Sequence, residues 1–524
     1  MQIRLATRGS RLALAQSGLV ADAVRALGAE VELVRIRTLG DVTTAPLSSL
    51  GGVGVFVAAV REAVLSGACD FAVHSLKDLP TTPADGLTLA AIPKREDARD
   101  ALCARHGLTL ATLPAGARVG TGSPRRAAQL ALARPDLQIV DIRGNVDTRL
   151  ARVGKDLDAV VLAAAGLNRL GRSHAITQIF NTREMLPAPA QGALAIECRS
   201  DDDAVRALLA QLDDPDTRAA VELERAVMRA IEAGCAAPFG GLARAGLGEV
   251  GIHARLITGA GARSVLMGGI VAEIPQLAQR VADEVAPLRG LSVLLPPSGL
   301  ADVLDAEGVR VTTQSFTDTE PLDVAAFVQA LADGPDAVAF TSARTVRVLT
   351  GAGIELARQL PLGITVAAVG DATAAALRAA GLRVGVRPSS GSGGAALAAA
   401  FPDGPGTVLV PGASEPAPDL ADHLTARGWR VLPVPVYRTV PVAAVDPDVA
   451  AGWPAGFDAF VVTAPSVARV AADLLGVPGP PVVALGATSA AAATELGFDV
   501  VVTAAEASPA GLVEALATLR KEPA

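Results

Sequence analysis

The 524-residue sequence predicts a multidomain α/β protein. Two observations carry that expectation. The chain is too long for one hydrophobic core, and its length suggests about three to five domains. Short Val- and Ala-rich runs of strand composition alternate throughout with amphipathic, Ala-rich helical stretches, and Gly, Pro, Ser or Asp stand at the joints. Half of the residues are hydrophobic and only 3% aromatic, so the core is built mainly from Ala, Val and Leu.

The first half is organised around Ala72-Val73-His74-Ser75-Leu76-Lys77-Asp78-Leu79-Pro80, where an apolar run stops at a cation and an acid placed back to back. Lys77 and Asp78 fall where a buried strand becomes a loop, the usual place for ligand chemistry in open α/β sheets. A carboxylate there can hold a cationic nitrogen or pass a proton. A surface ion pair is the other reading of the step alone.

Upstream, a strand over Ile3–Thr7 leads through Arg8-Gly9-Ser10 into a helix over about Leu12–Leu27, with Ser10 as its N-cap. A strand over Glu30–Arg37 precedes the loop Gly51-Gly52-Val53-Gly54-Val55-Phe56, which lacks the GxxxxGK[ST] pattern of a phosphate loop. The polar run Pro93 to Asp100 reads as a crossing between domains. Beyond it, Ser123-Pro124-Arg125-Arg126 offers an N-cap, a first-position proline and two arginines in one helical turn. Cations in a first turn oppose the helix dipole unless an anion binds there. Arg143-Gly144-Asn145-Val146-Asp147-Thr148-Arg149 repeats the pattern after a strand over Gln138–Ile142 and opens a helix that continues through Arg152. Arg8, Arg125, Arg126, Arg143 and Arg149 thus gather at strand ends and helix starts, which suits a ligand with several carboxylates or phosphates. A strand over Ala195–Cys198 returns to the first sheet. A helix over about Asp216–Glu232 ends at Gly234-Cys235, where the thiol is either reachable or a buried, inert cysteine.

Composition restricts the partners. Basic residues number 46 and acidic 54, a net charge of −8 that argues against nucleic acid or an anionic membrane as a general partner. Only Lys77, Lys94, Lys155 and Lys521 are lysines. The four cysteines show no CxxC spacing, and Met1 runs straight into a strand without an export signal, so reduced thiols in a cytoplasmic protein are expected. No apolar run is long enough for a membrane span, and the five scattered histidines predict no metal.

Ala6 to Ser10, His74 to Pro80, Arg118 to Arg126, Arg143 to Val146, Pro189 to Glu197 and Gly234-Cys235 together resemble hydroxymethylbilane synthase, also called porphobilinogen deaminase, in the family's order. The resemblance implies two hinged, periplasmic-binding-protein-like α/β domains, at about 1–95 plus 190–215 and 96–189, and a small α+β domain at 216–289 carrying the cofactor cysteine. It implies a dipyrromethane cofactor joined to Cys235 through a thioether, with Lys77, Ser123, Arg125, Arg126 and Arg143 at cofactor-binding positions. Asp78 would be the catalytic carboxylate, and Arg8, Ser10, Phe56, Arg149 and Gln191 would meet the substrate or growing chain. Four porphobilinogens would be joined head to tail with loss of ammonia, then released as hydroxymethylbilane. The residue chemistry agrees: a carboxylate stabilises the azafulvene cation left by ammonia, and each added pyrrole brings two carboxylates that need cations. Val53 stands where many relatives have a lysine, and Gly122 where a serine is common.

From about 290 onward the sequence duplicates itself. Asp336 to Ala343 matches Asp458 to Ser466, and Val366 to Thr373 matches Val482 to Ser489, each a strand, a small polar turn and a helix. Two similar α/β domains are expected, at about 290–320 plus 437–524 and at 321–436. This half resembles uroporphyrinogen-III synthase through those turns and through Val436-Tyr437-Arg438-Thr439, although Leu294 to Gly299 lacks the Arg-Pro expected after the first strand. The resemblance implies cyclisation of hydroxymethylbilane with inversion of its last ring, and a second site with Thr341, Ser342, Tyr437, Thr463 and Ser466. Helix capping for the hydroxyls and inter-domain packing for Tyr437 are the alternative roles.

The sequence leaves three other readings open: a two-lobed carboxylate-binding protein, a pyridoxal phosphate enzyme with Lys77 as Schiff base, and a deaminase whose second half is structural. Oligomeric state is not legible.

Overall fold

The computed structural model describes residues 1–36, 55–231, 237–259, 261–361, 363–388, 393–415, 419–453 and 455–519. The chain forms two compact units, one of Met1–Leu291, Asp302–Arg310 and Ser508–Ala524, the other of Ser292–Ala301 and Val311–Ala507.

The first unit contains two five-stranded sheets and one of three strands. In the first sheet Gln2–Arg8 lies parallel to Glu30–Ile36 and to Phe71–Ser75, while Leu194–Arg199 runs antiparallel between Phe71–Ser75 and Leu87–Ala91. The second sheet repeats the plan. Arg118–Gly120 is parallel to Gln138–Val140 and Ala159–Ala163, and Asp100–Ala104 runs antiparallel between Ala159–Ala163 and Gln178–Ile179. Each sheet therefore receives its antiparallel strand from a chain segment crossing from the other lobe, one before Asp100 and one before Leu194. The expected return of Ala195–Cys198 to the first sheet is observed.

Sequence chemistry explains the local detail. Ser10 caps the helix Arg11–Ala26 by accepting from the Ala13 amide at 3.2 Å. Ser123 accepts from the Arg126 amide at 3.4 Å, with Pro124 at the first position of the helix Pro124–Ala133. The helix expected to run from Arg143 through Arg152 is shorter and spans Val146–Leu150. Gly144 takes a positive φ of 102° and Asn145 is the true N-cap, so Arg143 precedes the helix. After Leu150 the chain turns at Gly154, whose φ is 80°.

The third sheet is an antiparallel meander of Phe239–Gly246, Glu249–Thr258 and Gly261–Ile270. Helices Pro215–Ala230 and Ile274–Val285 cover one face and share with it a core containing Leu223, Val227, Phe239, Ile252, Leu277 and Val281. Glu224, fully buried on the first of these helices, accepts from Arg95 at 2.6 and 3.1 Å, from the Ala190 amide at 2.5 Å and from the Ala243 amide at 2.7 Å. Arg95 and Ala190 belong to the two crossing segments, so this carboxylate ties the meander to the joint between the lobes.

The second unit contains two five-stranded sheets, ordered Arg310–Thr313, Ser292–Leu295, Ala459–Val462, Val482–Ala484, Val500–Thr503 and Thr317–Pro321, Trp429–Pro441, Gly406–Ala413, Ala337–Phe340, Thr365–Ala368. The internal repeats occupy equivalent places. Ala337–Phe340 pairs with Thr365–Ala368 as Ala459–Val462 pairs with Val482–Ala484, both in parallel, and each strand feeds a helix. Thr317–Pro321 and the end of Trp429–Pro441 form an antiparallel ribbon.

Candidate functional site

The apolar strand Phe71–Ser75 ends in a single 3-10 turn, Leu76–Asp78, that carries Lys77 and Asp78 into a cleft with about 250 Å³ of free volume. Ser123, Arg125 and Arg126 reach the same cleft from the second lobe, and Gln191 reaches it from the returning crossover. Met228, Ala237 and Phe239 of the helix–meander module close it. Both five-stranded sheets and the helix–meander module of the unit thus contribute to one opening.

The floor of the cleft is a buried charge network centred on Asp100, the first residue of its strand. Arg125 donates to Asp100 Oδ2 at 2.8 Å, and Arg126 donates to Oδ1 through Nε at 3.0 Å and a terminal nitrogen at 2.7 Å. Gln191 donates to Oδ1 at 2.9 Å and accepts from Lys77 Nζ at 3.2 Å. Burial would raise the Asp100 carboxyl, but the two guanidiniums hold it well below the usual carboxylate range. Arg125 is 4% exposed and its Nε has no hydrogen-bond partner among the described residues. A buried N–H without a partner is costly, which marks a place where an acceptor is missing.

Lys77 is half-buried, and desolvation pushes its pKa down to about 8 against the opposing pull of Asp78. Arg149 is lowered by burial and by the charge of Arg126, so it shares the same cationic field; its Nε donates to the Gly144 carbonyl at 2.8 Å. Asp78 itself is exposed at the cleft wall. Beneath the turn, Glu197 binds Arg61 at 2.7 Å, and His74 Nε2 lies 3.2 Å from Glu197 Oε2 but outside hydrogen-bond geometry. Burial would raise the Glu197 carboxyl; His74 and Arg61 outweigh it and hold the pKa at about 2.

The structure brings Lys77, Asp78, Ser123, Arg125, Arg126 and Gln191 together. Arg8 is half-buried at the end of its strand and Ser10 is an N-cap. Arg143 is exposed and does not line the cleft. Cys235, the Phe56 side chain and Val53 lie outside the described residues. The other three cysteines, Cys69, Cys103 and Cys198, are buried, and desolvation raises their thiols, Cys103 to about 12 and Cys198 to about 11. Gly122 admits no side chain here, since a Cβ would stand 2.5 Å from the Ile142 carbonyl oxygen. Asp100 was not singled out from sequence; the signal was a carboxylate opening a buried strand, hidden inside the polar run Pro93 to Asp100.

In the second unit, Thr341 is exposed and Ser342 caps its helix by accepting from the Arg344 amide at 3.1 Å. Thr463 and Ser466 are half-buried around the start of the helix Pro465–Leu475. Tyr437 is 7% exposed and packs in a core with Phe327, Val338, Phe340 and Val436.

Residues 3–207 match the family model "Porphobilinogen deaminase, dipyromethane cofactor binding domain". The chain is 55% identical over 282 residues to a porphobilinogen deaminase of Micrococcus luteus, covering 48% of this chain and 75% of that one. It is 52% identical over 316 residues to that of Leifsonia xyli, covering 59% of this chain and 96% of that one. The chain belongs to the porphobilinogen deaminase family. Residues 298–514 match a second model, "Uroporphyrinogen-III synthase HemD", so the deaminase region is fused to a uroporphyrinogen-III synthase region. A uroporphyrinogen-III synthase structure from Thermus thermophilus aligns at 23% identity over 44% of this chain and 100% of that chain, with a TM-score of 0.30.

Proposed function

We propose that this chain converts porphobilinogen to hydroxymethylbilane in its first half and closes that product to uroporphyrinogen III in its second. The observation that carries the first assignment is the convergence of Lys77, Asp78, Ser123, Arg125, Arg126 and Gln191 on one cleft. The division we propose is 1–289 for the deaminase and 290–524 for the synthase, with the finer domain limits given above.

The cleft residues fit a dipyrromethane. Its acetate and propionate groups are acceptors of the kind that the Arg125 Nε lacks among the described residues, and among those residues Asp100 is the fully buried counter-charge to the surrounding cations. Arg125, Arg126, Ser123 and Lys77 would hold those carboxylates; Arg143, exposed and outside the cleft lining, is assigned to the cofactor on the family resemblance alone. When bound, the dipyrromethane supplies the pyrrole end to which further units are joined. Cys235 is the attachment point we infer: Ala237, two residues on, lines the cleft, and the other three thiols are buried and raised.

Asp78, exposed at the wall beside Lys77, is placed to stabilise the cationic substrate carbon as ammonia departs and to take up the pyrrole proton afterwards. Arg8, Ser10, Phe56, Arg149 and Gln191 are assigned to substrate or growing chain. Gln191 does this while bridging Lys77 to Asp100. In the second unit we assign Thr341, Ser342, Thr463 and Ser466, at matching strand-to-helix turns, to the cyclisation site. Tyr437, packed among apolar side chains, is assigned to the ribbon core.

The partners proposed are these small pyrroles, without nucleic acid or membrane. No described helix is long and apolar enough to cross a membrane. We propose a cytoplasmic location on the charge and cysteine arguments above. Intact-mass measurement of the purified chain tests the first assignment. One dipyrromethane on the parent and none on Cys235→Ser supports it; an unmodified parent that still consumes porphobilinogen overturns the attachment.

A further inference from the structure

The turn that carries Lys77 and Asp78 is held from two sides. At its start the Leu76 amide donates to the Ala193 carbonyl at 3.0 Å. On its far side Arg225, from the helix Pro215–Ala230, donates to three main-chain carbonyls: Leu76 at 3.3 Å, Leu79 at 3.0 Å and Pro80 at 2.7 Å. Arg229, one helical turn on, donates to the Thr81 carbonyl at 3.1 Å. The Leu76 carbonyl already accepts from the Leu79 amide at 3.1 Å, and Arg225 adds a second donor there while its planar fork reaches the Leu79 and Pro80 carbonyls just beyond the turn, as a cap does. Lys77 and Asp78 themselves take no part in this grip, so their side chains stay directed to the cleft.

The helix that supplies the grip also supplies Glu224, which fixes the lobe joint through Arg95, and it ends at Ala230, five positions before Cys235 in the sequence. We propose that Arg225 is a positioning residue that fastens the Lys77–Asp78 turn to the helix Pro215–Ala230, which precedes Cys235 in the sequence, so that the carboxylate keeps its place relative to the helix–meander module. Without it the described anchors left to the turn are its own strand, the Leu76–Ala193 hydrogen bond and the Arg229 contact to Thr81. The inference rests on the assignment of Asp78 and Cys235 made above. A displacement of about 1 Å at a reacting group costs on the order of 100-fold in rate, which sets the scale of the effect.

The test uses the full chain with Arg225→Gln and Arg225→Lys, each checked by intact mass for a bound dipyrromethane. Hydrogen exchange is read on peptides covering Leu76 to Thr82, and kcat and KM on porphobilinogen. Arg225→Gln is expected to speed exchange at Leu79, lower kcat about 10- to 100-fold and leave KM within about twofold. Arg225→Lys recovers part of kcat, because one ammonium replaces only part of the fork. Parental kcat in Arg225→Gln, or a slow variant whose turn exchanges as in the parent, overturns the proposal. If Arg225→Gln does not fold, Arg225→Lys decides it: a smaller drop in kcat with faster exchange supports the proposal, and parental values overturn it. Asp78→Asn run alongside separates the two assignments, since full activity there removes Asp78 from the chemistry while the exchange result still reports whether Arg225 anchors the turn.

Discussion

Arg126 places two N–H groups on one oxygen of Asp100, Nε at 3.0 Å and a terminal nitrogen at 2.7 Å, and both residues are buried. Asp100 opens the strand that enters the second lobe, and Gln191, from the segment leaving that lobe, donates to the same oxygen. Arg125 and Arg126 are thereby registered against both crossings between lobes.

Removing that carboxylate's charge leaves Arg125 and Arg126 buried without a counter-ion. Asp100→Asn is expected to destabilise the first unit by about 3–5 kcal/mol, the usual consequence of breaking a buried pair from one side. Denaturant unfolding of the dipyrromethane-free chain reads the loss; a change under about 1 kcal/mol contradicts the network.

Lys77 titrates near 8 because burial disfavours its ammonium form. As pH rises through that value the free amine appears, while ordinary lysines remain charged to about 10.4. In the dipyrromethane-free chain, acylation followed by peptide mapping at about pH 8.5 is expected to modify Lys77 ahead of Lys94 and Lys155. Bound pyrrole carboxylates should hold the ammonium form and protect it.

Glu197 has a folded pKa of about 2 against an unfolded value near 4.5. A depressed carboxylate contributes stability that is fully present above the unfolded value and lost as pH falls through the folded one. Its contribution of about 3 kcal/mol should therefore vanish between about pH 4.5 and pH 2. Glu197→Gln should flatten that part of the acid unfolding curve; an unchanged curve contradicts the Arg61 and His74 pairing.

Two variants separate packing by Tyr437 from a part for its phenol in the chemistry. Tyr437→Phe is expected to leave the isomer composition of the product unchanged, and Tyr437→Ala to destabilise the second unit by about 3–5 kcal/mol through the cavity left in its core. Loss of isomer III with Tyr437→Phe would place the phenol in the chemistry.

The duplicated strands of the second half were legible because a repeat is written in local sequence: Ala337–Phe340 and Ala459–Val462 take equivalent places in two sheets. The capping serines were legible for the same reason, Ser123 before Pro124 most plainly. What could not be read was long-range. Asp100, Glu224 and Arg225 looked like ordinary charges on a linker and a helix, and only folding brings up their partners: Arg125, Arg126 and Gln191 stand 25, 26 and 91 positions from Asp100, Arg95 stands 129 from Glu224, and Leu76 stands 149 from Arg225. Arg143 was misplaced within its helix because Gly144 adopts a positive φ that moves the cap to Asn145.

The most direct test is to give the purified full chain porphobilinogen alone, oxidise the products and separate the uroporphyrin isomers. The account predicts mainly isomer III, which requires both activities in one chain. Isomer I alone would leave the deaminase in place and contradict the synthase, and no uroporphyrin at all would contradict the deaminase.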